Sequence, residues 1–185
     1  MTPMNLTYKD HLSLMTDYNG WMNAKLMALL TPLPADTLLE DKGAFFGSVL
    51  GTLNHILVAD LIWLGRLPLN ATQTATLNSM PGPAALDQLV FDTMADYNVA
   101  RTRLDHLFKM YINGLSEADL AAPLTYKRVN GDAHTKTLGL VLSHVFNHQT
   151  HHRGQLTTLL NQMGLQLDTT DLLGRIPDIT ASGAP

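Results

Sequence analysis

The chain has 185 residues, a formal charge of -4 and no cysteine, a length that suits one domain, 1–185, with a sizeable buried core. The missing thiols exclude a disulfide framework, a cysteine nucleophile and a Cys-type structural zinc site, so any bound metal must take His, Asp or Glu ligands. The negative charge and the absence of a run of Lys and Arg point away from nucleic acid and anionic membranes, and the N-terminus lacks the basic-then-apolar order of an export signal, so a cytoplasmic protein is expected.

From Tyr8 to Leu30 the apolar residues Leu14, Met15, Tyr18, Trp21, Met22 and Leu29 recur at steps of three and four, which predicts a helix with one buried face. Pro32 and Pro34 end it. After a turn at Ala35 to Glu40, the positions Phe45, Phe46, Val49, Leu53, Ile56, Leu57, Asp60 and Leu64 predict a second helix reaching Leu67, with Asp60 the one charge on its stripe. Asn70 to Asn78 reads as a polar loop closed by Met80-Pro-Gly-Pro83, either a lid or a plain connection. A third helix is predicted from Ala85 to Ile112, carried by Leu86, Leu89, Val90, Met94, Tyr97, Arg101, Leu104, Leu107, Phe108 and Tyr111, with Asn113-Gly114 as its stop. Ser116 to Asp119 has the form of a capping box opening one short turn. Leu124 to Asp132, with Asn130-Gly131, predicts a small hairpin. The fourth helix, capped by Thr135 or Thr137, runs to Met163 with Gly164 behind it. Past Asp168 the chain is expected to be loosely held. Four long amphipathic helices with a small hairpin before the last make an all-α, up-down four-helix bundle with its core at about 8–163.

On the fourth helix the run Asn147-His-Gln-Thr-His-His-Arg-Gly-Gln155 puts His148 and His152 about one turn apart on one face. With about 100° per residue and His148 at zero, the apolar positions Leu138, Val141, Val145, Leu156, Leu159 and Met163 fall within roughly 20° to 80°. His152 lies near 40°, inside that arc, and His144 and His151 near -40° and -60°, outside it. His55 on the second helix sits at the rim of its stripe beside Ser48, Gly51, Thr52 and Ala59, small neighbours that leave room for a pocket. Two inward imidazoles need partners, since an unpartnered buried polar group costs about 1–3 kcal/mol, and one divalent cation serves both. Three nitrogen ligands leave a coordination position open, the pattern of a catalytic rather than a closed structural site. Zinc, nickel, iron and copper all suit imidazole.

Other residues have plainer readings. Gln149 stands where a His-Glu-x-x-His protease carries its glutamate base, which removes that mechanism. Asp60 is read as an ion-pair partner of Arg101 or Arg153 rather than as a carboxylate orienting His55, because it lies a turn away on another face. Arg153 and Gln155 are read as anchors for a neighbouring helix or a partner subunit, and Gly154 as a place where another backbone comes close. His11, His106 and His134 are read as ordinary hydrogen-bonded histidines.

Tyr18-Asn-Gly-Trp-Met-Asn23, Gly51-Thr-Leu-Asn-His-Ile56 with Asp60 and Trp63, and His144 to Gln155 together resemble the DinB (damage-inducible) family over about Tyr8 to Met163. The resemblance implies a four-helix bundle, metal ligands at His55, His148 and His152, and a homodimer. The family is similar in fold to bacterial low-molecular-weight-thiol S-transferases and mycothiol-dependent isomerases. Its name denotes induction by DNA damage, not contact with DNA. Three functions are compatible. The first is a transferase in which a divalent ion (Zn, Ni or Fe) activates a low-molecular-weight thiol toward an electrophilic small molecule. The second is a metal-assisted hydrolase with His151 as its base. The third is a non-catalytic, dimeric metal- or ligand-binding module.

Overall fold

The computed structural model describes residues 6–128 and 130–178. Among them seven helices and one hairpin follow in the order α1 (Tyr8–Leu30), α2 (Ala35–Leu39), α3 (Val49–Leu64), α4 (Ala71–Asn78), α5 (Met94–Gly114), α6 (Glu117–Ala121), β1 (Pro123–Lys127), β2 (Ala133–Thr137) and α7 (Leu138–Gln162), with a 3-10 turn at Leu172–Arg175. The mostly helical expectation holds. α1 packs against α5 and α7, and α3 against the same two. Their shared interior is filled by Leu12, Leu26, Leu50, Leu57, Leu104, Phe108, Leu142, Phe146 and Leu156. Burial of such side chains drives the association, at roughly 1.5–3 kcal/mol each. No helix among the described residues is long and apolar enough to cross a membrane.

Side-chain caps start most of these helices. The hydroxyls of Thr7, Ser48, Thr93 and Ser116 and the amide oxygen of Asn70 each accept from the N–H three residues on, the first-turn donor that has no partner within the helix. Ser116 with Asp119 forms the capping box predicted for it. Thr137 stands at the N-cap of α7 but makes no side-chain cap. There the Leu138 N–H is satisfied by the Ala122 carbonyl instead.

The structure corrects several element boundaries: the turn expected at Ala35 to Glu40 holds the short helix α2, and the helix expected to reach Leu67 ends at Leu64. Asn70 to Asn78 is a helix, not a loop, because Asn70 and Gln73 cap each other reciprocally. The helix predicted from Ala85 begins only at Met94, where Thr93 caps it, and Leu86 and Leu89 are exposed. The intervening strap is fixed by buried Asn54 of α3, whose Oδ1 accepts from the N–H groups of Val90 and Phe91 at 2.9 Å each, while its Nδ2 donates to the Phe91 carbonyl at 2.8 Å. Phe45 and Phe46 precede α3 rather than starting it: they form a tight turn in which Gly47 (φ 71) donates to the Ala44 carbonyl and accepts from Lys42.

That turn lies directly on Gly51. A Cβ at Gly51 would come within 2.2 Å of the Phe46 carbonyl oxygen, so Gly51→Ala must push the turn away. The expected cost is about 1–3 kcal/mol, as for other overpacked sites, read as a lowered urea midpoint. An unchanged midpoint would show that the turn is free to shift.

The hairpin expected before the last long helix is present, with β1 antiparallel to β2 in the register Tyr126↔His134 and Leu124 and Tyr126 turned inward. Thr169 and Thr170 offer carbonyls to Lys25 and to the Tyr18 hydroxyl of α1, and Asp168 pairs with Lys25. The remainder of the expected loose end, 179–185, lies outside the described residues.

Candidate metal centre

The helical pitch of α7 places His148 and His152 on the side that faces α3, from which His55 projects. The three Nε2 atoms meet: 3.2 Å separates His55 from each of the others, and 3.1 Å separates His148 from His152. His55 and His152 are buried and His148 is half-buried.

Two of the three rings have their tautomers set from behind. His55 Nδ1 lies 2.9 Å from the Leu86 carbonyl oxygen, which only accepts, so that nitrogen carries the proton and Nε2 keeps its lone pair. His152 Nδ1 is likewise 2.8 Å from Gln155 Oε1. Two lone pairs therefore face one another across 3.2 Å, and His148 has one proton with which to satisfy both. A cation resolves the conflict. A triangle with these edges has a radius of about 1.8 Å, close to the roughly 2.0–2.1 Å of a zinc–imidazole bond, so the three nitrogens are spaced as ligands to one ion would be. The residues present fit a divalent metal.

The electrostatics point the same way. Burial pushes the pKa of His148 down to about 3, helped by the nearby His152 and His55. Burial also lowers His55 against the pull of the Leu86 carbonyl, and lowers His152 against that of Gln155. All three are neutral at pH 7, the form that binds metal. Each folded pKa lies below its unfolded value near 6.5, so the unfolded chain binds more protons in that interval and stability is lost as pH falls through it. Thermal melts of the chelator-treated protein are expected to fall from pH 7 to pH 5, and His148→Ala to flatten that slope. A melting temperature level across this range would contradict the buried triad.

Phe46 covers one flank of the site, stacked on His55 at 3.8 Å between ring centres and edge-on to His152 at 5.4 Å. On another flank a cavity of about 430 Å³ reaches His55 and His148 between Ala59, Ile62, Trp63, Leu86 and His144. Of the two histidines set outside the apolar arc, His144 lines this cavity. His151 does not: it is exposed, edge-on to His152 with 4.9 Å between ring centres.

Asp60 pairs with Arg101 at 2.5 Å, as expected, and also accepts from Gln149 Nε2 at 2.6 and 2.7 Å. The residue in the protease-glutamate position thus faces the core. Arg101 pairs in addition with Asp105 at 2.8 Å, and Asn23 donates to Asp105. Arg153 does anchor a neighbouring helix, donating to Asn19 of α1. Two readings are corrected. Gln155 orients His152 rather than joining helices, being one turn along on the same face. Gly154 is exposed, and a Cβ there would meet nothing within 4 Å. Neither the Leu86 carbonyl nor Phe46 is found by sequence reasoning, since both arrive through the chain path rather than through a motif.

Removing the Gln155 contact frees the His152 ring. Gln155→Ala is expected to weaken divalent-metal affinity about 10–100-fold with little change in fold, the usual effect of losing an outer partner, measured by competition with a chromogenic chelator. Unaltered affinity would mean that the ring is held by packing alone.

The DinB family model matches residues 4–178. The chain is similar to Protein DinB of Bacillus subtilis, at 27% identity over 157 residues covering 84% of this chain and 87% of that protein. In structure it is similar to a DinB-like protein from Bacillus cereus solved by crystallography, with a TM-score of 0.56 and 20% identity, covering 88% of this chain and 94% of that one. That likeness is one of fold.

Proposed function

Since the chain belongs to the DinB family, we propose that it is a metal-dependent transferase joining a low-molecular-weight thiol to an electrophilic small molecule, built on an up-down four-helix bundle. One observation carries the reading: three neutral imidazoles whose Nε2 atoms lie 3.1–3.2 Å apart beside a cavity open to small molecules. His55, His148 and His152 would hold a divalent ion, and the chemistry it would supply when bound is a lowered thiol pKa. The chain has no cysteine of its own, so the sulfur comes from solution.

The side chains supply the rest. Leu86 and Gln155 keep the lone pairs of His55 and His152 aimed at one point. Phe46 shuts water out on one side, and Ala59, Ile62 and Trp63 give the electrophile an apolar wall. We assign the thiol proton to a ring nitrogen of His144, whose ring centre is 6.2 Å from that of His148, in place of His151, which lies outside the cavity. In the transfer the S–H proton passes to His144, an S–C bond forms, and the leaving group departs with its bonding electron pair.

The test is turnover of 1-chloro-2,4-dinitrobenzene with glutathione or bacillithiol by protein loaded with Zn, Ni or Fe. Activity should require the thiol and vanish on chelation. Hydrolysis of 4-nitrophenyl acetate without any thiol would instead favour the hydrolase reading, and thiol conjugation untouched by chelation would overturn the metal's role.

A further inference from the structure

The cavity at the histidines continues into a second of about 500 Å³, and the two share Trp63, Arg66, Arg128 and His144. We propose that this second cleft binds a small organic anion, a carboxylate or phosphate carried on a planar or apolar body, with Arg66 as the principal ligand and Arg128 and Lys136 closing around it.

Three of the chain's twelve Lys and Arg residues line this one cleft, although they come from three places in the fold: the end of α3, the hairpin turn and β2. The ion pairs among the described residues join Lys25 to Asp168, Lys42 to Glu40, Arg101 to Asp60 and Asp105, and Lys109 to Asp17. None involves Arg66, Arg128 or Lys136. Arg66 is held instead by aromatic faces, its guanidinium carbon 4.7 Å from the Trp63 ring centre and 5.2 Å from that of Tyr126. Such stacking positions a guanidinium without neutralising it, which leaves its planar fork of donors free for a bidentate carboxylate or phosphate. Burial lowers the Arg66 pKa; Tyr126 opposes this and the like charge of Arg128 adds to it. Cations gathered in a partly enclosed cleft with no ion-pair partner among the described residues are stabilised by an incoming anion.

The walls define the rest of the ligand. Trp63, Tyr126, Leu140 and Val141 present apolar surface beside the charges, which suits an aromatic or aliphatic body. The cleft's size and the net charge of -4 favour a small molecule over a polyanion. A ladder of rings, Tyr126 to Trp63 (5.2 Å), Trp63 to His144 (5.4 Å) and His144 to His148 (6.2 Å), leads from the cleft to the triad, so a molecule anchored at Arg66 extends toward the proposed metal. The inference rests on the transferase reading only for which reactant carries the anion. Binding at Arg66 needs no metal.

The experiment uses the full chain stripped of metal with a chelator and carrying Trp21→Phe, which leaves Trp63 as its single tryptophan. Benzoate and phenyl phosphate, titrated separately, are expected to change the Trp63 emission saturably, at least ten-fold more tightly than neutral benzamide and more weakly as salt rises. Arg66→Gln is expected to weaken both anions at least ten-fold at an unchanged melting temperature. Calorimetry on the unaltered chain repeats the measurement should Trp21→Phe fold poorly. Equal binding of benzoate, phenyl phosphate and benzamide, or anion affinity indifferent to Arg66→Gln, would overturn the proposal. Competition by glutathione identifies the anion with the thiol, and anion binding without such competition identifies it with the electrophile. Because these readouts need neither metal nor turnover, a failure here is distinct from a failure of the transferase assay.

Discussion

Arg101→Ala is expected to remove about 3–5 kcal/mol of folding free energy, the cost of stripping one partner from a buried ion pair. Arg101 is 0% and Asp60 1% exposed, so the orphaned carboxylate stays in a low-dielectric interior with only Gln149 beside it. Burial already pushes the Asp60 pKa up against the pull of Arg101 and Gln149. The Arg101 charge is opposed by burial too, yet Asp105 and Asp60 more than offset it and hold its pKa above the ordinary value. Against a total stability of about 5–15 kcal/mol for a typical domain, the single change leaves a marginal protein. Urea titration measures the loss. Asp60→Leu with Arg101→Leu together should cost less than the sum of Asp60→Leu and Arg101→Leu made singly, since the double change leaves no buried charge at either position, although Asp105 still loses its Arg101 partner and Gln149 its acceptor. A single-variant cost below about 1 kcal/mol, the value of an exposed pair, would show that water reaches the network.

The second large effect falls on metal content. His148→Ala and His152→Ala, each purified and loaded in parallel with the unaltered chain, are expected to drop from about one divalent ion per chain to near none by elemental analysis, whereas His151→Ala keeps its ion. Ligand-linked stability gives an independent readout. With free metal at about 100 times Kd the ion contributes about 2.7 kcal/mol, so a chelator should lower the melting temperature of the unaltered chain and leave that of His148→Ala where it was. Full occupancy in both alanine variants would dissolve the site.

Much of this architecture could be read in the chain. The three/four periodicity marks α1 at its observed ends because Thr7 and the prolines after Leu30 agree with it. The one-turn spacing of His148 and His152 is a local property of a helix, and it survives folding unchanged. Boundaries failed where a tertiary contact overrode a local pattern. Leu86, Leu89 and Val90 continue the periodicity of α5, but Asn54 takes the backbone of Val90 and Phe91 for itself, and the chain leaves the helix there. Asn70 and Gln73 did carry a legible signal, a reciprocal cap at the right spacing, hidden by the polar character of the residues between them. The site was legible in its ligands but not in their supports. Gln155 was one turn from His152 all along, whereas the Leu86 carbonyl and the Arg66, Arg128 and Lys136 cluster depend on segments distant in sequence meeting in space.

The strap between α4 and α5 has no regular secondary structure, and such connections usually tolerate added or missing residues. This one has no such freedom. Asn54 fixes Val90 and Phe91, and His55, the very next residue of α3, donates its Nδ1–H to the Leu86 carbonyl. A single residue inserted or deleted between Leu86 and Val90 would present a different peptide group to the imidazole and turn the ring. The irregular stretch is therefore as length-constrained as any helix in the protein, and natural variation in loop size should be confined to the connection ahead of Leu86.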